Sequence, residues 1–157
     1  MEEVKTRKGS GKSLSEKRIV EILRTHLVSL GYLVVKELVL NDYHFQIKRL
    51  ACKDISKVRI DVAALKDGKI TFIEVENGLW VTHPLLYRNF AHRVLLAYPS
   101  SYNAPTDEKQ IEMARKNGIG IVKINELGSI IPVLKPVDYE IAPYITKSIA
   151  SLIYKIR

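Results

Sequence analysis

The sequence is poor in the features that build disulfides, zinc sites and membrane spans. It has a single cysteine, Cys52, which cannot form a disulfide within the chain. A zinc site is not expected, because metal-ligand spacing such as H-x-x-x-H is absent among His26, His44, His83 and His92. No apolar run approaches the roughly 20 residues of a membrane span, and the N-terminal MEEVKTRKGSGKS lacks the apolar core of a signal peptide. We therefore expect an intracellular protein, cytoplasmic or associated with the nucleoid, with no membrane partner.

The composition is that of a globular domain with an excess of positive charge. Of the 157 residues, 46% are hydrophobic and 27% are charged, which is enough for one domain with its own core. The net charge of +8 favours an anionic partner, with nucleic acid ahead of a membrane surface. We predict a flexible basic arm at residues 1–12 and a single domain at residues 13–157. Arg7, Lys8 and Lys12 of the arm are candidates for contacts with a nucleic-acid backbone, the alternative being a solvated tail.

Hydrophobic spacing predicts a mixture of helices and short apolar strands. Ser13 and Glu16 have the spacing of a capping box, and the helix that follows is expected to end at Gly31. Strands are expected over residues 32–40, 45–50, 59–65, 70–75, 93–99 and 119–124, and further helices over 84–91, 106–117 and 144–156. The segment with Pro132 and Pro136 is expected to be a loop. This order predicts an α/β fold with a central mixed sheet flanked by helices.

Three acids, Asp61, Glu74 and Glu76, interrupt two apolar strands that a tight turn connects. Asp67-Gly68 between alternating strand residues is typical of a two-residue hairpin turn, which fixes the register of the two strands. That register places Asp61 directly opposite Glu74. Glu76 lies two residues further along the strand and therefore shares the face of Glu74.

Two carboxylates held side by side in an apolar sheet need a compensating cation. A hard divalent ion such as Mg²⁺ suits them, because it binds carboxylate oxygens together with water and phosphate; Mn²⁺ is the other candidate. The alternative is a salt-bridge cluster with Arg59, which the same register places opposite Glu76, or an exposed strand end at Asp61.

The segment IDVAALKDGKITFIEVEN resembles the core of the PD-(D/E)xK nucleases, in which an acid, a hairpin and an acid-x-Lys follow one another. The resemblance implies that Asp61 and Glu74 are the metal-binding acids. The segments RKGSGKSLSEKRIVEIL and GYLVV resemble the archaeal Holliday junction resolvases, which implies that Glu16 is the acid of the first helix. Glu16 also falls on the apolar stripe of that helix, although it is equally explained by the capping box. Glu76 occupies the usual lysine position, where some restriction endonucleases of this superfamily also carry Glu.

The resemblance implies a restriction-endonuclease-like α/β sandwich that hydrolyses phosphodiester bonds in DNA, with a resolvase-like preference for DNA structure as the finer expectation. Asp61, Glu74 and Glu16 would bind Mg²⁺ or Mn²⁺, and Glu76 would act as a general base or as a further ligand. The alternative is a catalytically inactive nucleic-acid-binding module of the same fold. A protein-interaction domain that uses the C-terminal helix is a third class.

Two cations within the domain are further candidates for DNA contacts. Lys36 leaves the first strand near the expected site, and Arg88 follows the acid strand in the segment HPLLYRNFAHR. The neighbouring Tyr87 is also a candidate for a phosphate contact, but it is equally explained as a core residue. Homodimerisation stays open at the level of the sequence.

Overall fold

The computed structural model describes residues 14–41, 57–100 and 108–156. Within these ranges the helices are α1 (Glu16–Ser29), α2 (Thr82–Leu85), α3 (Glu108–Lys116) and α4 (Pro143–Ile156). The strands are β1 (Leu33–Asn41), β2 (Lys57–Lys66), β3 (Lys69–Val75), β4 (Arg93–Pro99), β5 (Gly120–Ile124) and β6 (Ile130–Leu134). The predicted arm at residues 1–12 and the predicted strand at residues 45–50 lie outside the described residues.

All six strands join one sheet, in chain order from β1 to β6. The pairs β1–β2, β2–β3 and β5–β6 are antiparallel, whereas β3–β4 and β4–β5 are parallel. The sheet is therefore mixed, as the sequence predicts, and β3 lies near its centre.

Helices cover both faces of the sheet, which makes a three-layer α/β sandwich. On one face α1 buries Ile19, Leu23 and Leu27 against the sheet. On the other face α4 buries Ile145, Ile149 and Ile153 in a core with strand residues and the segment after α2. None of the helices within the described ranges has the length and apolar character needed to cross a membrane.

The hairpin between β2 and β3 has the predicted turn and register. Asp67 and Gly68 have φ angles of 52° and 75°, and positive φ at both central residues is what a type I′ turn requires. The pairing continues without a bulge as far as Val62 opposite Ile73. The next residues along the two strands are Asp61 and Glu74, so the turn fixes the relative position of the two acids.

The alternation of side chains along β1 and β2 shifts by one residue at Glu37 and Asp61. Side chains before and after this point therefore lie on different faces from those that strict alternation predicts. Leu38 and Ile60 pair with each other and belong to the core under α4, whereas Val62 belongs to the core under α1. Residues two apart in a strand normally share a face. Glu37, opposite Asp61 between these pairs, has a φ of 56°, a left-handed conformation that is uncommon outside glycine. Asp61 therefore lies between a residue of one hydrophobic core and a residue of the other, and it belongs to neither core.

Helix α1 begins later than the predicted capping box implies. Ser15 has an extended backbone, and its hydroxyl accepts a hydrogen bond from the backbone N–H of Arg18 at 3.1 Å. Ser15, not Ser13, is therefore the N-cap, and Glu16 is the first helical residue instead of the third. The predicted end of the helix is confirmed, since Gly31 follows it with a φ of 93°.

Two further elements differ from the prediction. The helix expected over residues 84–91 is only Thr82–Leu85, and turns continue the chain to Phe90. The segment around Pro132, expected to be a loop, forms β6 at the edge of the sheet, where Pro132 pairs with Val122. An edge strand tolerates proline because its outward side has no neighbouring strand to receive an N–H.

Candidate metal centre

The three acids expected from the hairpin register come together at one end of β2 and β3. We call Asp61, Glu74 and Glu76 the acid cluster. Glu74, the penultimate residue of β3, is only 9% exposed, and its Oε1 atom is buried without a hydrogen-bond partner among the described residues. The pKa of Glu74 is raised to about 9. Burial is the largest cause, followed by the charge of Asp61 and hydrogen bonding to it, and Glu76 acts in the same two ways. The metal-free protein therefore keeps this carboxyl protonated at neutral pH.

Asp61 is held in the cluster by the backbone of the neighbouring strand. Its Oδ2 atom accepts a hydrogen bond of 2.8 Å from the backbone N–H of Val75, beyond the last backbone pair of β2 and β3. Its Oδ1 atom is 3.8 Å from Nη2 of Arg59, whose side chain is 62% exposed. Arg59, which the predicted register places opposite Glu76, has its ion pair with Asp61 instead.

Glu76 follows β3 and is fixed from both sides. Its backbone N–H donates to the carbonyl of Ala97 at 2.9 Å, and its side chain is 14% exposed. Its Oε2 atom lies 2.7 Å from Nδ1 of His83 in α2. One donor atom each from Glu74, Glu76 and His83 can be chosen so that all three lie within 4.8 Å of one another.

His83 is the residue at this centre that the sequence did not indicate. It stands in the short helix α2, seven residues after Glu76, and no ligand spacing links it to another histidine or to a cysteine. The one available signal was its place directly after the acid-bearing strand. The irregular segment between β3 and α2 turns the chain back and returns the imidazole to Glu76.

Glu16, the first residue of α1, also lies within electrostatic range of the cluster. The helix approaches the cluster from the opposite face of the sheet to α4. Partial burial and the negative charges of Asp61 and Glu76 raise the pKa of Glu16, whereas Arg59 acts in the opposite direction. Glu16 therefore lies near enough to the cluster for the charges to interact, and it is the most exposed of the four acids that the sequence analysis selected.

Tyr87 forms part of the buried wall behind the acids. It is 5% exposed, its ring meets Phe72 edge to face at 6.3 Å, and its hydroxyl donates to the carbonyl of Arg59 at 3.2 Å. Burial raises the pKa of Tyr87, and the nearby charges of Glu74 and Asp61 raise it further. The interpretation of Tyr87 as a core residue is the one that fits.

The predicted DNA-contacting cations are not gathered around the acids. Nζ of Lys36 lies 2.5 Å from Oε2 of Glu21 in an exposed ion pair, so Lys36 is engaged along α1 and β1. Arg88 is only 8% exposed; it donates to the carbonyl of His92 at 2.9 Å and lies 3.8 Å from the ring centre of Tyr139. Burial lowers the pKa of Arg88.

Arg88 is therefore packed inside the domain and does not present its guanidinium at the surface, which corrects the expectation of a phosphate contact. The sequence could not separate the two cases, because a surface helix and a buried turn give the same apolar spacing around residue 88. The remaining candidates, Arg7, Lys8 and Lys12, lie outside the described residues.

The residues of the cluster fit a divalent cation. Glu74 and Glu76 supply carboxylate oxygens and His83 supplies an imidazole nitrogen, all within 4.8 Å of one another, and Asp61 lies beside Glu74. Oε1 of Glu74 is a buried acceptor that has no protein donor among the described residues. Buried polar atoms of native proteins are almost always satisfied. A cation at the cluster would satisfy this oxygen and offset the repulsion between neighbouring carboxylates.

Comparison with known proteins gives little further information. No protein-family model matches the chain, and no curated protein matches it. Among solved structures it is similar to a crystal structure of AF1548, a protein of unknown function, with 15% identity and a TM-score of 0.44. The match covers 69% of this chain and 55% of that one, so it spans about half the length of the neighbour. A similarity this distant carries no information about the chemistry of the acid cluster.

Proposed function

We propose that this protein is a divalent-metal-dependent DNA endonuclease that hydrolyses phosphodiester bonds. The observation that supports the proposal is the convergence of Asp61, Glu74 and Glu76, with one buried oxygen of Glu74 left without a donor among the described residues. A cluster of this kind destabilises the metal-free protein, because like charges lie close together in a poorly solvated place. A bound cation would offset this cost and would attract a phosphate of the substrate.

The roles proposed for the side chains combine their positions in the structure with the resemblance to the PD-(D/E)xK nucleases. Asp61 and Glu74 hold Mg²⁺ or Mn²⁺, with Glu16 close enough to add its charge. When bound, such an ion offsets the charge that develops on a scissile phosphate and makes water a stronger acid. Glu76 stands where the PD-(D/E)xK nucleases that the segment resembles carry lysine, and a carboxylate oxygen there would accept the proton of the attacking water. Arg59, exposed beside Asp61, is suited to contact a phosphate of the substrate.

DNA is the substrate class that the charge of the chain favours. The net charge of +8 attracts a polyanion, and the pattern of acids resembles that of the PD-(D/E)xK nucleases. A preference for branched DNA is the finer part of the proposal and rests on the resemblance of residues 7–35 to the resolvases. A homodimer would suit a substrate with two symmetric strands to cut.

The proposal is tested by cleavage assays with the purified full-length chain. Supercoiled plasmid, a four-way junction and single-stranded DNA are each incubated with Mg²⁺, with Mn²⁺ and with EDTA. We expect cleavage of at least one substrate with a divalent ion and none with EDTA or with Asp61→Asn. Arg115→Ala is the control, because its side chain pairs with Glu112 within α3 and has no role in the proposal, and it should cut normally. Binding without cleavage under every condition would leave the inactive nucleic-acid-binding module as the function.

A separate measurement addresses the basic arm. Deleting residues 1–12 removes Lys5, Arg7, Lys8 and Lys12. Each lost phosphate contact reduces the slope of log K against log salt by about 0.9 for duplex DNA. We expect weaker binding, a shallower slope and an unchanged circular dichroism spectrum. An unchanged slope would mean that the arm does not touch DNA.

A further inference from the structure

We propose that His83 is a metal ligand, acting with Glu74 and Glu76, and that its nitrogen makes the centre select a first-row transition ion such as Mn²⁺ over Mg²⁺. The inference rests on the metal-binding part of the proposed function and goes beyond it, because the pattern of acids alone predicts an all-oxygen site. It assigns a ligand that no spacing in the sequence indicated and a preference among metals that can be measured without DNA.

The geometry supports three donors around one position. Donor atoms of Glu74, Glu76 and His83 lie within 4.8 Å of one another. Two metal ligands at about 2.1 Å from the same ion are separated by at most roughly 4.2 Å, so small side-chain adjustments suffice. Glu74 lies near the end of β3, Glu76 follows the strand directly, and His83 lies in α2. The strand thus fixes the backbone positions of the two acids.

A second, independent observation points to a cation at the same place. Glu74 is more than nine-tenths buried, and its Oε1 atom has no donor within the described part of the chain. An arginine or lysine could have satisfied this oxygen, as Arg93 satisfies Asp138 elsewhere in the molecule. At the cluster, Arg59 directs its guanidinium to Asp61 at 3.8 Å and is mostly exposed.

The nitrogen donor is what changes the expected metal. Mg²⁺ prefers oxygen ligands in octahedral geometry and keeps several waters. Imidazole favours transition ions, whose affinities rise from Mn²⁺ toward Cu²⁺ for the same ligands. A centre of carboxylates plus one histidine should therefore bind Mn²⁺ more tightly than Mg²⁺, whereas the same centre without His83 should lose most of this difference.

A purely structural role for His83 makes a different prediction. If the imidazole only positions Glu76 through the 2.7 Å contact, then asparagine should replace it, because the side-chain amide of asparagine can occupy the place of Nδ1 and donate. Alanine would remove both the contact and the ligand. The pair of variants, His83→Asn and His83→Ala, therefore separates a ligand from a positioning group.

The experiment measures metal binding to the full-length chain directly. Mn²⁺ is titrated and the free ion is followed by its electron paramagnetic resonance signal, with Mg²⁺ affinity obtained by competition. Pulsed spectra of the bound Mn²⁺ report whether a ¹⁴N nucleus couples to it. Trp80, the single tryptophan, lies in the segment between Glu76 and His83 and gives an optical signal for the same titration. His26→Ala, which removes an exposed histidine from the last turn of α1, is the control.

We expect ¹⁴N coupling in the parent chain and in His26→Ala, and its loss in His83→Ala and His83→Asn. Both His83 variants should bind Mn²⁺ at least about tenfold more weakly, with a smaller change for Mg²⁺ and unchanged thermal unfolding without metal. Bound Mn²⁺ without ¹⁴N coupling, full affinity in His83→Asn, or no Mn²⁺ binding at all would each overturn the inference.

The result is independent of nuclease activity. Cleavage of DNA with no nitrogen bound to Mn²⁺ would leave the proposed function standing and remove His83 from the centre. Nitrogen-coupled Mn²⁺ in a protein that cuts no DNA would keep the ligand assignment and remove the proposed function.

Discussion

The two ends of the β2–β3 hairpin both contain charged side chains, but these are arranged in opposite ways. At the turn, Nζ of Lys66 donates to the carbonyl of Leu30 at 2.6 Å. Beside it, Arg93 at the start of β4 makes a two-pronged pair with Asp138 at 2.8 and 2.9 Å. At the far end, Glu74 is buried next to two other acids, and one of its oxygens has no donor among the described residues.

The two ends of the hairpin differ in whether their polar groups have partners. The turn end satisfies even a buried backbone group, because Nδ1 of His92 accepts the N–H of Ile70 at 3.0 Å. The acid end places like charges together in a sheet that is otherwise well packed. Like charges therefore lie together at one end and charged pairs form at the other, within a few residues of the same strands. The proposed metal centre would account for this contrast.

The largest expected effect is the loss of cleavage when the acid end is changed. Asp61→Asn and Glu74→Gln keep the size of each side chain but remove the charge that holds the metal. Each should lower the rate of metal-dependent DNA cleavage by about 100-fold or more, equivalent to about 3 kcal/mol. Quantified plasmid nicking with Mn²⁺ measures this, and gel-shift assays should show that DNA binding survives. Arg93→Ala at the turn end should leave the rate unchanged; an equal loss there would end the distinction between the two ends.

The next effect concerns the free energy of unfolding. Removing a charge at the acid end should stabilise the protein, whereas removing a partner at the turn end should destabilise it. The pKa of Glu74 is about 9 in the folded protein against an ordinary value of 4.5. The contribution of Glu74 to folding stability is therefore most favourable below pH 4.5 and decreases as the pH rises toward 9. Glu74→Gln removes this titration. In EDTA at pH 8 the variant should be more stable than the parent, by an amount on the order of a few kcal/mol, and the gain should shrink at pH 5. Urea unfolding at both pH values measures it, and a gain independent of pH would mean that ionisation of Glu74 does not cause it.

At the turn end, removing one partner should destabilise the protein. His92→Ala leaves the buried N–H of Ile70 without an acceptor, which costs about 1–3 kcal/mol. Burial lowers the pKa of His92 from its ordinary value of 6.5, so the stability from the neutral ring is present above pH 6.5 and decreases as the pH falls below it. Urea unfolding at pH 5.5 and pH 7.5 should show the parent losing stability at the lower pH and the variant losing less. Equal pH dependence in both proteins would mean that His92 does not titrate in this range.

The smallest effect is expected from the surface pair of the turn end. Arg93 and Asp138 are each between a third and two-fifths exposed, so water screens much of their attraction. Asp138→Asn should reduce the free energy of unfolding by only about 0.5–1 kcal/mol. The difference should disappear at low pH, because hydrogen bonding to Arg93 lowers the pKa of Asp138 below its ordinary 3.8 and acid removes the charge in both states. Chemical unfolding in 0.1 and 1 M salt checks the screening, and a loss that persists unchanged in 1 M salt would argue against an exposed pair.

The sequence was most informative where local chemistry fixes long-range geometry. The Asp67-Gly68 turn determines the register of β2 and β3, and the placement of Asp61 against Glu74 follows from it. Helices α1 and α4 could be predicted because their apolar residues repeat at the helical period. In each case a periodic or turn signal of a few residues was enough.

Features that depend on tertiary contacts could not be predicted in this way. His83 reaches Glu76 only because an irregular segment turns back, and no periodicity describes such a segment. Arg88 is buried by its stacking on Tyr139, which is distant in sequence. Strand β6 contains Pro132, and whether proline is acceptable depends on its lying at an edge, which the sequence does not specify.

The left-handed residue Glu37 has a consequence for recognising distant relatives of this chain. Along β1, apolar residues of the core under α4 stand at Leu33 and Val35 before Glu37, and at Leu38 and Leu40 after it. An alignment that rewards strict two-residue alternation would therefore place the second half of this strand one position out of phase. The same error would carry over to β2, where Ile60 and Val62 lie on opposite sides of the sheet, and would shift the column that holds Asp61. Profiles of this strand pair should allow a change of phase at residues 37 and 61.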